Sequence, residues 1–394
     1  MTRRRWPLRA ADLRGAARLL TQATTRVTDV VEGMHARISP WPEHPATPGQ
    51  TQGLTRLIYR SVRSVARFVG GGVEALLHLL PEGEAQAPNS PQRDALIAAL
   101  NGVLGDHLQA SQNPLATPMQ WRMDGQTLPS EPALLQRTLR DKGCTSKVLV
   151  LVHGLCMHDG QWRHTGHDHG AALAQALGFT PVYLRYNTGL PIAHNGADLA
   201  QQLEALLAAW PHAVERLVLL GHSMGGLVLR SALHAGPPAQ QRWVKACSDL
   251  ICLGSPHHGA PLEKAGHGLD LLLAQTPYTA PLAQVGQWRS AGIMDLRHGT
   301  VLRPPAHLPL PTGLRCHAVA ACLSGAPRAG KPARLAERLL GDGLVPLDSA
   351  LGWHRRSAQR LAFEPERCLT VWNTGHLDLL HSAQVSQQMI QWLR

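Results

Sequence analysis

The chain has 394 residues and is 44% hydrophobic, which is enough for one enzyme-sized domain with a substantial core and a further segment beside it. Its net charge is +11, but aromatic residues make up only 4% of it and no recognition motif accompanies the charge, so nucleic acid is not an expected partner. The seven cysteines show no paired spacing, no run of about 18 apolar residues exists and no signal peptide is visible, so we expect reduced thiols, no transmembrane helix and a cytoplasmic protein.

Residues 1–115 are predicted to form a basic, helical N-terminal extension. The first 70 residues carry twelve arginines and only four acidic residues. Apolar residues recur at helical spacing from Leu13 to Met34, from Leu54 to Val69 and around Ala95 to Leu108.

The second of these helices carries a stripe of four arginines, at Arg56, Arg60, Arg63 and Arg67. The pattern favours a solvated face on a helix that is docked within its own bundle. The alternative is peripheral contact with an anionic membrane through these arginine-rich helices, at the inner face of the membrane.

A short hairpin follows the extension. The segments Met119–Met123 and Gln126–Leu128 flank an Asp124-Gly125 turn, which is typical of two antiparallel strands. Mixed sheets often carry antiparallel strands at an edge, so we place the domain boundary near residue 115 and a catalytic domain over 116–394.

The apolar, β-branched run Lys147–Val152 predicts a buried strand of a parallel sheet. It leads into His153-Gly154-Leu155, and such a pair at a strand end is typical of a loop that donates a backbone N–H to an oxyanion. Leu155 is the candidate donor. The alternative is an ordinary turn after a strand. The neighbouring Cys156 is interpreted as a small packing residue.

Histidines and aspartates are concentrated just after this strand, at His158, Asp159, His164, His167, Asp168 and His169. Their spacing matches no zinc template, so we predict contacts within a loop and no metal site.

Strands and helices alternate from residue 147 onward. Pro181–Tyr186 is a predicted strand, Ala197–Trp210 a predicted helix and Asp249–Leu253 a further strand. This alternation implies a parallel, doubly wound sheet.

The most informative motif is G-H-S-M-G at 221–225, which matches the pattern G-x-S-x-G. An apolar strand, Arg216–Leu220, precedes it and an apolar helix follows it, as a nucleophile elbow requires. Such a turn holds the serine in a strained backbone conformation, and the glycines permit close approach. Ser223 is therefore the candidate nucleophile, and the N–H of Met224 is a second candidate oxyanion donor.

Residues 259–312 interrupt the alternation, with helical patterns near 269–273 and 288–296. Insertions at this position form caps or lids over the nucleophile, and apolar lid faces would favour an acyl substrate. The alternative is a structural insertion on the far face.

A nucleophilic serine needs a histidine base and a carboxylate that orients the histidine. Asp342 lies on a glycine-flanked loop beyond a predicted strand at 316–320, and the predicted strand Leu369–Trp372 leads to His376. The chain order serine, aspartate, histidine is that of α/β-hydrolases, so Asp342 and His376 are the candidate acid and base. Asp348, on the same loop, is a competitor for the role of acid.

Together these motifs resemble the α/β-hydrolase superfamily, and within it the bacterial lipase and esterase branch that is similar to inositol-deacylase-type (PGAP-like) serine hydrolases. Three further segments carry the resemblance: L-G-S-P-H-H-G at 253–259, G-D-G-L-V-P at 341–346 and G-H-L-D at 375–378. The resemblance covers about residues 140–394 and implies an α/β fold with a doubly wound, mostly parallel sheet, to which the N-terminal extension and the lid insertion are added.

The resemblance assigns the nucleophile to Ser223, the acid to Asp342 and the base to His376. In some bacterial lipases an aspartate two residues after the base binds calcium, and Asp378 matches that position. The upstream partner region, 318–325, holds no carboxylate, so we predict neither a calcium site nor any other metal site.

We therefore expect a serine hydrolase that cleaves carboxylic esters, takes an ester or acyl lipid as substrate and needs no cofactor. Two alternatives remain open: an acyltransferase with the same triad, and a membrane-peripheral interaction protein that uses the hydrolase fold as a scaffold.

Overall fold

The computed structural model describes residues 11–22, 60, 64, 91–163, 166–235, 242–260, 290–327 and 333–394.

The chain divides into two compact units. The smaller unit comprises Met1–Ser90 and Leu108–Ala116, and the larger comprises Pro91–His107 and Thr117–Arg394. This division differs from a single boundary near residue 115, because residues 91–107 join the larger unit.

Hydrogen bonds tie this segment into the larger unit. The Ser290 hydroxyl donates to the Gly102 carbonyl at 2.6 Å, and Asn187 Nδ2 donates to the Gly105 carbonyl at 2.9 Å. These contacts join residues far apart in sequence, so the local apolar pattern gave no sign of them.

In the smaller unit, residues 11–22 are helical, and Asn113 Nδ2 donates to the Gly15 carbonyl at 3.1 Å. Arg60 is helical and exposed. The other three arginines of the predicted stripe lie outside the described residues: Arg56, Arg63 and Arg67. Membrane contact through this stripe therefore stays a prediction.

The larger unit is built on one sheet of eight strands: β1 (Gln120–Met123), β2 (Gln126–Thr127), β3 (Lys147–Val152), β4 (Thr180–Arg185), β5 (Arg216–His222), β6 (Cys247–Leu253), β7 (Arg315–Cys322) and β8 (Cys368–Trp372). Their spatial order is β2-β1-β4-β3-β5-β6-β7-β8. Strand β1 is antiparallel to β2 and β4, and every other neighbouring pair is parallel. The predicted fold class, a mostly parallel α/β-hydrolase sheet, is confirmed.

The helices described from residue 91 onward are α1 (Pro91–Ala110), α2 (Pro132–Asp141), α3 (His169–Leu177), α4 (Ile192–Ala208), α5 (Met224–His234), α6 (Arg242–Ala246), α7 (Ala291–His298), α8 (Leu335–Leu340), α9 (Leu347–Ala350) and α10 (Ala383–Leu393). Within the described ranges, no helix is both long enough and apolar enough to span a bilayer.

Strand β3 shows why the sheet is covered on both faces. Val148, Val150 and Val152 belong to a core that includes residues of α4 and α5, whereas Leu149 and Leu151 belong to a second core with residues of α3 and α10. All five side chains are fully buried. Burial of each contributes about 1.5–3 kcal/mol, which explains a run that is apolar at every position instead of every second one.

The predicted lid lies mostly outside the described residues, because 261–289 are not described. The described remainder includes α7, where Asp295 Oδ2 accepts a hydrogen bond from Ile192 N at 2.9 Å. The lid therefore stays a prediction.

The carboxyl ends of the parallel strands meet at one edge of the sheet. His153 follows β3, Ser223 follows β5, and Asp342 and His376 lie on the loops after β7 and β8. This edge is where open α/β sheets bind their ligands.

The opposite edge holds a buried charge cluster around Asp249, near the start of β6. Its Oδ2 accepts from Arg216 at 2.9 Å, Arg315 at 2.7 Å and Ser248 at 2.7 Å. Its Oδ1 accepts from His317 Nε2 at 3.0 Å. Burial opposes ionisation of this carboxylate, but these hydrogen bonds outweigh it and hold the pKa of Asp249 well below its ordinary value.

Candidate active site

Ser223 lies at a strained turn between β5 and α5. Its backbone has φ 54° and ψ −122°, and β5 ends and α5 begins at the residues on either side of it. A positive φ in a residue other than glycine costs about 1–3 kcal/mol and persists only where the surroundings enforce it. The turn has the form of a nucleophile elbow.

Glycines on both sides let this turn pack closely. A Cβ atom at Gly225 would lie 2.1 Å from the Val152 carbonyl oxygen, and one at Gly221 would lie 2.5 Å from Gly226 N. Any side chain at either position would push α5 away from the sheet, so the motif's glycines are required by packing.

The structure brings Asp342 and His376 together. His376 Nδ1 donates to Asp342 Oδ2 at 2.7 Å, and both side chains are almost completely buried. Asp342 Oδ1 accepts from Leu344 N at 3.0 Å and from Val345 N at 2.7 Å. Because both carboxylate oxygens are held, the His376 ring is fixed with Nε2 as the nitrogen left for chemistry.

Asp348, the competing carboxylate, has a different partner. Arg338 Nε and Nη2 donate to its two oxygens, each at 2.8 Å. The geometry therefore favours Asp342 as the carboxylate that orients His376.

Ser223 and His376 lie on adjacent loops. Ser223 N donates to the Leu253 carbonyl at 2.8 Å, and a Cβ atom at Gly254 would lie 3.2 Å from His376 Cε1. Among the described residues, no hydrogen bond joins the Ser223 hydroxyl to the His376 ring. Such catalytic bonds are often long until substrate binds.

His222 is a residue that the sequence analysis did not single out. It is fully buried, its Nε2 donates to the His376 carbonyl at 3.1 Å, and the two rings lie 4.7 Å apart. Burial first, and then the neighbouring His376, hold the pKa of His222 well below its ordinary value, so its ring is neutral. Its place directly before Ser223 in the motif was the available signal. It positions the backbone of His376.

The loop after β3 lies directly against the elbow. A Cβ atom at Gly154 would lie 3.0 Å from Ser223 Cβ. In the part of the chain that is described, the N–H of Leu155 donates to no protein acceptor. The N–H of Met224 belongs to the first residue of α5, where intrahelical partners are lacking. Both candidate donors thus flank Ser223.

His153 holds this loop in place. Its Nδ1 donates to the Gly154 carbonyl at 3.0 Å, its ring stacks on Tyr186 at 4.6 Å, and the Tyr186 hydroxyl donates to the His153 carbonyl at 2.9 Å. Burial lowers the pKa of His153 to about 3, so the ring is neutral at physiological pH. A neutral, stacked ring keeps the backbone of the candidate oxyanion loop fixed.

The histidine-rich run after β3 is engaged in structural contacts. His158 accepts from Gly160 N at 3.2 Å, Asp168 accepts from Gly170 N at 2.7 Å at the start of α3, and Asp159 pairs with Arg122. His164 lies outside the described residues. No group of three or more metal-ligating side chains is found in the described ranges.

Asp378, which matches the calcium aspartate of some lipases, accepts from Gly375 N at 2.9 Å. It stabilises the loop that carries His376.

Comparison with known families supports the fold. Residues 144–284 match the family model of the PGAP1-like alpha/beta domain. This span contains the elbow and ends before Asp342 and His376. The resemblance to PGAP-like proteins of the α/β-hydrolase superfamily is thus confirmed. No match was found among curated proteins.

Solved structures of lipases and esterases are similar to this chain at low identity. A mature Bacillus licheniformis lipase is similar at 18% identity, over 63% of this chain and 91% of that chain, with a TM-score of 0.42. A Staphylococcus hyicus lipase is similar at 13% identity, over 63% of this chain and 95% of that chain, with a TM-score of 0.39. A thermophilic esterase from Thermogutta terrifontis is similar at 15% identity, over 64% of this chain and 90% of that chain, with a TM-score of 0.37.

Proposed function

We propose that this protein is a serine hydrolase that cleaves carboxylic esters through an acyl-enzyme. The observation that carries the proposal is the buried Asp342–His376 pair, at 2.7 Å, on the loop next to the strained Ser223. Each of these three residues has a position that catalysis requires and that packing alone does not.

Acylation begins when Ser223 Oγ attacks the ester carbonyl carbon. His376 Nε2 takes the hydroxyl proton, and Asp342 stabilises the imidazolium that forms. The backbone N–H groups of Leu155 and Met224 donate to the oxyanion, which would be worth about 3–4 kcal/mol for one well-placed donor.

The tetrahedral intermediate then collapses. The bond to the alcohol breaks as His376 returns its proton to the leaving oxygen, and the acyl group stays on Ser223. Water attacks this second ester with His376 again as base, releasing the carboxylic acid. No step of this cycle requires a cofactor.

An apolar surface beside the site supports an acyl chain as part of the substrate. Four leucines are 47–65% exposed near the loop that carries Asp342: Leu323, Leu335, Leu339 and Leu340. Three of them belong to α8, which ends at the residue before Gly341, and Leu323 N donates to the Gly341 carbonyl at 2.9 Å. Exposed apolar side chains concentrated near one loop are typical of a contact with apolar ligands or surfaces.

The test is a panel of p-nitrophenyl esters of rising acyl length, with Ser223→Ala as control. We expect hydrolysis that depends on Ser223 and favours longer acyl chains over acetate. Adding a primary alcohol and measuring the new ester separates hydrolysis from acyl transfer. The proposal fails if the folded wild-type protein hydrolyses no ester of the panel.

A further inference from the structure

A cleft that is separate from the proposed catalytic residues opens beside α5. Its volume is about 360 Å³, and its lining includes Arg230 and five histidines: His257, His258, His298, His307 and His354. We refer to it as the histidine cleft. Its described lining residues include no carboxylate and none of the three proposed catalytic residues.

Arg230, on the inner wall of the cleft, is a buried cation that has no counterion among the described residues. Only 4% of it is exposed, its Nη2 donates to the Leu308 carbonyl, and its Nη1 donates to His257 Nδ1 at 3.3 Å. Both acceptors are uncharged. Its Nε is buried and has no partner among the described residues.

Other largely buried arginines in the described part of the chain form ion pairs with aspartates. Arg122 and Arg185 pair with Asp159, and Arg216 pairs with Asp249. No aspartate or glutamate among the described residues forms such a pair with Arg230. The lack of a carboxylate partner among the described residues thus distinguishes Arg230 from these other buried arginines.

An unpaired buried charge is costly unless something compensates it. Burial lowers the pKa of Arg230 to about 10, which still leaves it a cation at neutral pH. An anion in the cleft would supply the counter-charge that the described residues lack.

His257 gives a second, independent observation. Because an arginine can only donate, His257 Nδ1 is the acceptor, and the ring proton lies on Nε2. Only 3% of His257 is exposed, and Nε2 has no partner among the described residues. A buried donor without an acceptor costs about 1–3 kcal/mol. The lining of the cleft thus combines a cation with a buried N–H that has no acceptor among the described residues.

We propose that the histidine cleft binds a phosphate-type oxyanion, free or as the head group of a phosphorylated molecule, through Arg230, His257 and the histidines at the rim. A tetrahedral oxyanion has enough oxygens to accept from several donors at once. The cleft lies within the usual range of small-molecule sites, about 300–1,000 Å³, and therefore has room for an attached organic group.

Anion binding and ester cleavage can be tested separately. Arg230 follows Ser223 by seven residues along α5, which is two helical turns, or about 10 Å along the axis. Binding of inorganic phosphate needs no ester hydrolysis, so the proposal stands or falls independently of the proposed function.

The test measures binding to the full-length protein by calorimetry and thermal shift. Inorganic phosphate is compared with chloride at equal ionic strength, for the wild type and for Arg230→Met. We expect phosphate-specific stabilisation of the wild type and at least about tenfold weaker binding by the variant. Arg242→Met, which alters a side chain that is 83% exposed, is the matched control and should bind like the wild type.

His307→Gln provides a second variant on the exposed rim, which keeps the test valid if Arg230→Met does not fold. It should bind phosphate several-fold more weakly. Glycerol 3-phosphate distinguishes the source of the anion: tighter binding than inorganic phosphate indicates a phosphorylated head group, and equal binding indicates free phosphate. The proposal is overturned if phosphate stabilises no more than chloride, or if Arg230→Met retains phosphate binding.

Discussion

Two buried aspartate–histidine pairs lie at opposite edges of the same sheet. At the carboxyl edge, Asp342 accepts from His376 Nδ1 at 2.7 Å, and at the amino edge, Asp249 accepts from His317 Nε2 at 3.0 Å. All four side chains are almost completely buried. The pairs are nearly equivalent when only the carboxylate and the ring are compared.

Their surroundings differ. The Asp249 carboxylate also accepts hydrogen bonds from Arg216 and Arg315. The His317 ring lies 4.6 Å from the Trp392 ring, and its Nδ1 has no partner among the described residues. Among the described residues, the Asp342 carboxylate accepts hydrogen bonds only from His376 and from backbone N–H groups. The loop that carries His376 adjoins a serine in a strained turn. A buried aspartate–histidine pair is therefore not a catalytic signature alone. The strained serine beside the Asp342–His376 pair is the feature that favours a catalytic role for that pair.

The largest expected effect is that of Ser223→Ala. We expect kcat for ester hydrolysis to fall about 10³-fold or more, because only the attacking oxygen is lost. The melting temperature should stay the same or rise slightly. Ser248→Ala, a serine at the amino edge that donates to Asp249 at 2.7 Å, is the control and should keep kcat. Activity that survives Ser223→Ala with an unchanged melting curve would remove Ser223 from the mechanism.

Asp342→Asn should lower kcat by about two to four orders of magnitude, since an amide no longer fixes the imidazole tautomer that accepts the serine proton. Asp348→Asn is the matched control. It breaks the pair with Arg338 at the surface and should leave kcat within about twofold. Kinetics of both variants with one soluble ester provide the measurement. A reversed result would move the role of acid to Asp348.

A substitution of Asp249, at the amino ends of the strands, should lower stability and leave kcat unchanged. Asp249→Asn should lower the free energy of unfolding by about 3 kcal/mol, the lower end for a broken buried pair because Arg315 is partly exposed. The kcat of the folded protein should hold. Chemical denaturation with a parallel ester assay measures both quantities. Loss of kcat without loss of stability would contradict a purely structural role for Asp249 and would show that it affects the proposed catalytic residues.

The pKa of Asp249 also sets a pH dependence. Because its pKa is lower in the folded protein than the unfolded value of about 3.9, its stabilisation is complete above that pH and is lost as the pH falls through the folded pKa. Denaturation midpoints between neutral pH and acid should therefore fall more steeply for the wild type than for Asp249→Asn.

Local sequence patterns were sufficient to predict a strained turn at Ser223 and to select Asp342 and His376, which the structure brings together, whereas their catalytic roles stay a prediction. The apolar strand before Ser223 and the glycines around it specify the turn. Asp342 and His376 were selected by the predicted strands before their loops together with the chain order. The same patterns could not reveal the Asp249 cluster, because Arg216 lies on β5 and both Arg315 and His317 lie on β7, and these side chains meet at Asp249 on β6 only through register. Local patterns also could not show that Arg230 has no carboxylate partner among the described residues, since this depends on where the fold places each carboxylate.

A smaller effect is expected at His222. His222→Phe removes the hydrogen bond to the His376 carbonyl, which for a neutral bond is worth about 0.5–1.5 kcal/mol, or about two- to tenfold in rate. We expect kcat to fall by this factor with little change in KM, and His222→Asn to recover part of it through its amide N–H. A melting curve for each variant separates positioning from stability. A larger loss in His222→Asn than in His222→Phe would mean that the ring, not the hydrogen bond, matters.

Covalent labelling with a fluorophosphonate, mapped by mass spectrometry, tests the role of the carboxyl edge most directly. The adduct should lie on the peptide that contains Ser223, be lost in His376→Gln and persist in His317→Gln, since only one of the two histidines can activate the serine. A label on another residue, or labelling that depends on His317 and not on His376, would contradict the assignment of the Asp342–His376 pair to catalysis.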